Sequence, residues 1–241
     1  MLEQKKLYFV GMIIKILGTR GEIDEKAPWH TKYSGVLIDN SFLLDLGEKE
    51  YLKYNPSFIV FTHLHPDHAF FVRKENELDQ KIEAYAPEES PEVDNIKVVN
   101  DPFKKNSYRF TPIPVIHSLK VRSLAYIVEK DDKRLLYTGD LAWMEKKYQK
   151  KFGRLDMVIT EGSFIKKGGM IRKDKESGNI FGHTGLPDLI RIFSEYTQHI
   201  VLMHFGTWFM KDVKTARKKI QDLTPPDVKV EIARDGQEFI I

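Results

Sequence analysis

The feature that most constrains this chain is a repetition. Five short apolar runs each end in a residue able to bind a metal ion. "FIVFT" leads to His63, "IPVI" to His117, "LLYTG" to Asp140, "MVIT" to Glu161 and "IVLM" to His204. Short apolar runs bounded by turn-forming residues read as buried strands. Where such strands share a direction, the loops beyond their carboxyl ends converge, and ligands sit there. A fold that satisfies all five runs must bring these residues to one edge of a sheet system.

The first of these loops is unusually dense. "HLHPDH" places His63, His65, Asp67 and His68 within six positions, although the chain has only 8 histidines. Side chains alternate along an extended segment, so His63 and His65 face the same way and can share an ion. Pro66 stops the strand and begins a helical turn, which re-aims Asp67 and His68 toward a second ion. Imidazole and carboxylate donors suit zinc, with manganese and iron(II) as alternatives. A carboxylate such as Asp140 can bridge two cations and lower their mutual repulsion.

The rest of the sequence supplies mostly strands. Runs at 11–17, 35–39, 42–45, 58–61, 96–99, 110–116, 122–129, 133–138, 156–160, 199–203, 228–232 and 237–241 have strand character, and "SGVLIDNSFLLDLG" reads as a hairpin turning at Asp39-Asn40. "GHTGLPDLIRIFSEY" sets Leu186, Leu189, Ile190 and Phe193 on one helical stripe, with Thr184 as N-cap and Pro187 in the first turn. "KDVKTARKKI" aligns Val213, Ala216 and Ile220 on a second helix. Segments 66–73 and 142–151 are shorter helix candidates, and 87–95 reads as a surface loop. No composition shift marks a boundary, so a single domain over 1–241 is expected.

Composition narrows the chemistry. There is no cysteine, which excludes disulfides, thiolate ligands and a cysteine nucleophile, and fits a reducing, cytoplasmic setting. The formal net charge of +3 is too small to dictate a nucleic-acid partner, although basic residues cluster in "KKYQKKFGR", at Lys166-Lys167 and at 217–219. No apolar run approaches the roughly 18 residues of a membrane span. Lys15 interrupts the apolar stretch near the start, so a first strand is expected there rather than a signal peptide. Met12 is an alternative start, with residues 1–11 as an extension. A homodimer is compatible with the sequence.

Taken together, these residues resemble the H-x-H-x-D-H motif and following ligands of the metallo-β-lactamase superfamily. The likeness runs from "GTRGE" and "DLG" to "HFGTW". It implies an α+β chain folded as a four-layer αββα sandwich with a dinuclear site at one edge. By position, it implies His63, His65 and His117 on the first metal, Asp67, His68 and His204 on the second, and Asp140 bridging. "EGSF" at 161–164 and "GHTG" at 182–185 are similar to segments of the ribonuclease Z-like phosphodiesterase branch. There the second segment opens a helix before the last ligand strand, and its histidine, here His183, is the proton donor.

One departure matters. Only 22 residues separate His117 from Asp140, and they read as two strands, which leaves no room for the tRNA-gripping arm of ribonuclease Z. The small cyclic-phosphate phosphodiesterases of the branch also lack it. The expected activity is hydrolysis of a phosphodiester, in RNA, DNA or a small cyclic phosphate, by hydroxide generated between two divalent ions. His183, oriented by Glu161, would protonate the leaving alkoxide, and Asp67 would shuttle a proton. The alternative is a metallohydrolase of thioester or lactone carbonyls. His30 and His199 are expected to be non-catalytic, and Trp208 and Phe209 to be core or pocket wall.

Overall fold

The computed structural model describes residues 11–73, 78, 81–93 and 96–241. The expectation for an extension at 1–11 falls almost wholly outside them. Two seven-stranded mixed sheets pack face to face. Sheet one contains β1 (Ile13–Gly18), β2 (Gly35–Ile38), β3 (Phe42–Leu44), β4 (Phe58–Val60), β5 (Glu83–Ala86), β6 (Ile96–Val98) and, beside β1, β16 (Glu238–Ile240). Sheet two runs in the order β15 (Lys229–Ile232), β14 (His199–Phe205), β11 (Met157–Gly162), β10 (Lys133–Tyr137), β9 (Ser123–Lys130), β8 (Tyr108–Val115) and β7 (Phe103–Lys105). A separate exposed ribbon pairs β12 (Met170–Lys173) with β13 (Ile180–His183).

The alternation of side chains explains the layers. In sheet one, Ile14, Ile16, Val36, Ile38, Phe42, Leu44, Phe58 and Val60 point inward to the core between the sheets. Their neighbours Leu37, Leu43 and Ile59 point outward. In sheet two, Tyr126, Val128, Leu135, Tyr137, Met157 and Ile159 fill the same inner core. Ala125, Ile127, Leu136, Val158, Ile200 and Leu202 face the helices instead. Strands buried on both faces are apolar without interruption, which is why they are conspicuous in the sequence. Within the core, Phe42 stacks on Phe58 at 4.6 Å and meets Phe110 edge-on at 5.3 Å.

The helical layer on sheet two is made by α2 (Leu186–Phe193), α3 (Thr207–Met210) and α4 (Val213–Leu223), with the short α1 (Lys146–Gln149). The expected stripe Leu186, Leu189, Ile190, Phe193 is buried. Asp212 caps α4 by accepting from the Thr215 N–H. The other outer face is covered differently. Among the described residues it is packed by 3-10 turns at Lys49–Tyr54 and Phe70–Val72, which bring Tyr51, Phe70 and Phe71 onto it. The sandwich is therefore as expected, but this fourth layer is built of 3-10 turns and loops.

Several local expectations are corrected. The 66–73 candidate holds only a 3-10 turn at its end, and the 142–151 candidate is helical only at 146–149. Gly185, not Thr184, occupies the N-cap of α2, and no side chain caps it. His183 does not open that helix: it is the last residue of β13. No helix among the described residues is long and apolar enough to cross a membrane.

Strand direction then fixes the site. β10, β11, β14 and β15 are mutually parallel, and β8 runs with them because β9 is antiparallel to both β8 and β10. In sheet one, β3, β4, β5 and β6 are parallel. The carboxyl ends of β4, β8, β10 and β11 meet at one edge of the sandwich, where β14 also ends.

Candidate metal centre

At this edge the expected residues converge. Nitrogen and oxygen atoms of His63, His65, His117 and Asp140 lie within 4.8 Å of one another, as do those of Asp67, His68 and His204, and those of Asp140, Glu161 and His183. His63 Nε2 and His117 Nε2 each stand 3.1 Å from His65 Nδ1. Pro66 begins a turn closed by the His68 and Ala69 N–H groups donating to the His65 carbonyl. That turn swings Asp67 and His68 away from His65, so that Asp67 Oδ2 comes 2.8 Å from His204 Nε2. Asp140 sits between the groups: Oδ2 is 3.4 Å from His117 Nε2, and Oδ1 is 3.3 Å from His68 Nε2 and 3.4 Å from His204 Nε2.

The outer ring nitrogens identify what the inner ones can do. His117 Nδ1–H donates to the Gly182 carbonyl at 2.9 Å. His68 Nδ1–H donates to the Asp45 carboxylate at 2.7 Å. The Thr62 hydroxyl donates to Asp45, so it accepts from His63 Nδ1–H at 3.0 Å. The Ser163 hydroxyl donates to the His204 carbonyl and accepts from His204 Nδ1–H at 2.9 Å. With the outer nitrogen of each ring committed as donor, the inner nitrogen of a neutral ring is a bare lone pair. Four such lone pairs surround two carboxylates. His68 Nε2 and Asp140 Oδ1 are buried without a hydrogen-bond partner. A buried cluster of acceptors needs a cation, and these residues fit divalent metal with the supporting contacts such ligands require.

Electrostatics divide the histidines into two sets. Burial holds His63 well below the ordinary value and lowers His65 to about 4. Burial also outweighs the Asp140 carboxylate at His117, which is lowered. At His68 and His204 burial is overcome by Asp140 and Asp67, and both are raised. Asp67 is held at about 2: burial would raise it, but His68 and His204 outweigh that. In the absence of an ion, protons on His68 and His204 balance the two carboxylates.

Backbone conformation is also specialised here. His204 has φ +52°, a left-handed conformation rare for a side-chain-bearing residue, at an irregularity where β14 slips relative to β11. The bulge turns its ring toward Asp67. A Cβ on Gly21 would lie 2.9 Å from that ring, so only glycine lets this loop approach so closely.

His183 lies at the rim, 18% exposed. Its Nδ1–H donates to Glu161 at 2.7 Å, and the other Glu161 oxygen accepts the Leu141 N–H at 2.6 Å. Burial would lower His183, but the Glu161 charge and hydrogen bond prevail and push it up to about 9. The ribbon β12–β13 therefore carries a cationic imidazole, with Nδ1 4.0 Å from Asp140. Of the two remaining histidines, His30 is buried against Phe205 and Phe209, and His199 pairs with Glu231. Phe209 is core, and Trp208 lines the mouth with its N–H donated to the Gly162 carbonyl. Sequence reasoning missed the supporting set: Asp45, Thr62, Ser163 and the Gly182 carbonyl. Asp45 was signalled by the buried "LLDLG", where a charge follows a strand.

A cavity of about 370 Å³ opens beside these groups. Ile23, Phe164, Met170, Thr207 and Trp208 form its mouth, and no lysine or arginine lines it among the described residues.

Comparisons with known proteins agree with this architecture. The metallo-β-lactamase-fold protein YhfI from Bacillus subtilis superposes with a TM-score of 0.68 at 17% identity, covering 95% of this chain and 99% of that one. A diphosphatase from the PhnP family gives 0.68 at 15% identity, covering 96% and 97%. The short form of human tRNase Z gives 0.59 at 15% identity, covering 94% and 98%. At these identities the likeness is one of fold. No curated protein sequence matches the chain. Residues 52–205 match the model of the beta-lactamase superfamily domain, and the chain belongs to that superfamily.

Proposed function

We propose that this superfamily hydrolase is a dinuclear-metal phosphodiesterase acting on small phosphodiesters, cyclic ones included. His63, His65 and His117 would hold one ion and Asp67, His68 and His204 the other, with Asp140 placed to serve both. The donor set suits zinc first, then manganese or iron(II). When bound, two such ions supply a nucleophile at neutral pH and neutralise charge on phosphoryl oxygens.

The observation that carries the reading is the His183–Glu161 pair. It is a proton donor placed beside the centre yet outside the seven ligands. Glu161 fixes the ring through Nδ1, which leaves Nε2 free to face a leaving oxygen. An alkoxide leaves phosphorus poorly without a proton, and a positioned acid contributes about 10²–10⁴-fold. Asp67, whose carboxylate stands 2.8 Å from His204 Nε2 at the same centre, would be the residue to receive a proton from the attacking water.

Two features favour a small substrate. The cavity matches a compact ligand, and its mouth offers apolar walls rather than cations for a polyanion. Between His117 and Asp140 the chain forms only β9 and β10, turning at Asp131, with no arm. The test is a comparison of metal-loaded enzyme on cyclic and linear small diesters, tRNA precursors, thioesters and lactones. Small diesters are expected to be cleaved at least as efficiently as tRNA precursors. Cleavage of tRNA precursors alone, or of carbonyl substrates alone, overturns the proposal.

A further inference from the structure

A second groove lies on the flank of the molecule. It has a volume of about 760 Å³ and shares no lining residue with the metal-centre cavity. Its walls are the Trp29 loop, the Arg217 side of α4, and the turn after β15 that carries Arg234.

Three observations point to a ligand. First, Trp29 is 67% exposed and has φ +68°, a conformation costly for an aromatic residue. The surroundings hold it there. The Asp235 N–H donates to the Trp29 carbonyl, and the Asp235 carboxylate accepts from the Thr19 hydroxyl and from the N–H groups of Thr31 and Lys32. A rigid loop thus presents an uncovered indole. Second, Arg217 and Arg234 line the same groove, and among the described residues neither guanidinium has an ion pair or hydrogen bond, Arg234 using only its backbone N–H. Third, the acids in the groove are already engaged: Asp235 by the loop, and Glu231 by Lys229 and His199. Burial and the neighbouring Arg234 both lower Arg217, and both arginines help depress the nearby His30. Two unpaired guanidiniums beside an open ring form a receptor for an anion attached to an aromatic group.

We propose that this groove binds a nucleoside phosphate, with the base stacked on Trp29 and the phosphate held by Arg217 and Arg234. The site is independent of the activity assigned to the metal centre. Stacking on an aromatic side chain and bidentate contacts to a phosphate are the two contributions that together select this ligand class.

Calorimetric titration of the metal-loaded full chain with ADP tests it, alongside adenosine and inorganic phosphate. One ADP per chain is expected, with adenosine weaker by about tenfold or more. R217Q and R234Q are each expected to weaken ADP about tenfold or more while leaving phosphodiester hydrolysis unchanged. Trp29→Ala is expected to weaken ADP roughly tenfold, and Trp29→Phe to restore most of it. The arginine variants do not depend on the strained loop, so they decide the matter even where Trp29→Ala disturbs folding. No binding of ADP, or binding unmoved by both arginine substitutions, overturns the site. So does binding of a short single-stranded oligonucleotide where ADP fails.

Discussion

Glu161→Gln isolates the proposed acid without removing it. In the wild type, Glu161 accepts from His183 and keeps its imidazolium protonated up to about pH 9. Glutamine removes that charge. Burial then remains, bound ions would offset Asp140 and Asp67, and His183 falls toward or below its ordinary value of about 6.5. At pH 7.5 an imidazole titrating at about 9 is almost fully protonated, whereas one titrating at about 6.5 is protonated only to about a tenth. If protonated His183 is the form that acts, kcat at pH 7.5 drops about tenfold, and lowering the pH recovers it. The assay is the pH profile of kcat on a small diester with a poor leaving group, wild type against variant. The amide must also face the Leu141 N–H or the His183 N–H with one donor too many, a defect of about 1–3 kcal/mol. Metal content and thermal midpoint therefore accompany the kinetics. An alkaline limb that stays in place, with metal and fold intact, refutes the acid role of His183.

Three further outcomes follow from the same geometry. Asp140→Asn replaces one oxygen of the carboxylate that, alone among the described residues, stands close to both proposed ligand sets, and elemental analysis after reloading is expected to find clearly fewer than two ions per chain, with most activity lost. Loading metal into stripped protein is expected to release protons, because Asp140 and Asp67 raise His68 and His204; affinity therefore climbs with pH, and calorimetry in buffers of different ionisation enthalpy reads the protons directly. His30 is buried and lowered to about 4, so it opposes folding in acid: its contribution is complete above the unfolded value near 6.5 and declines as pH falls toward 4. Between pH 7 and 5 the wild type is expected to lose about 2 kcal/mol more than His30→Gln in urea unfolding, and equal losses contradict the burial argument.

The legible parts of the fold were those that bury two faces. β4, β8, β10, β11 and β14 each carry an apolar run buried on both faces because each sits inside its sheet, and their boundaries were close to those expected. β5 was missed because "EAYA" has Tyr85 as its one strong strand former among Glu and Ala, and its pairing with β4 and β6 decides its state. The ribbon β12–β13 was invisible for the opposite reason. β12 is exposed at every position, so no apolar pattern marks it, and its registry depends on Gly182 contacting His117. That miss also put His183 at a helix terminus, where a dipole would oppose an imidazolium. The structure removes this conflict by setting His183 on a strand, with Glu161 as its counter-charge.

The proposed ligands were legible and their supports were not, and one physical asymmetry accounts for both. A metal ligand needs a rare side chain at a strand end, a signal that survives in one dimension. The group that orients it needs only an acceptor in the right place. That role falls to a backbone carbonyl at Gly182, to hydroxyls at Thr62 and Ser163, and to a single carboxylate at Asp45. Asp45 is the most consequential of these. It accepts from His68 Nδ1, from the Thr62 N–H and hydroxyl, and from the Tyr137 hydroxyl at 2.7 Å, all fully buried. Those donors tie the histidine loop of sheet one to β10 of sheet two, so one carboxylate orients the His68 ring and joins the two halves of the sandwich at the edge where the candidate site is built. Asp45→Asn leaves a buried amide N–H facing donors, at a cost of about 1–3 kcal/mol or more, and frees the His68 ring to rotate. The expected result is a metal affinity reduced about 10–100-fold together with a lower thermal midpoint. Loss of stability with metal affinity untouched would mean that Asp45 serves the fold alone.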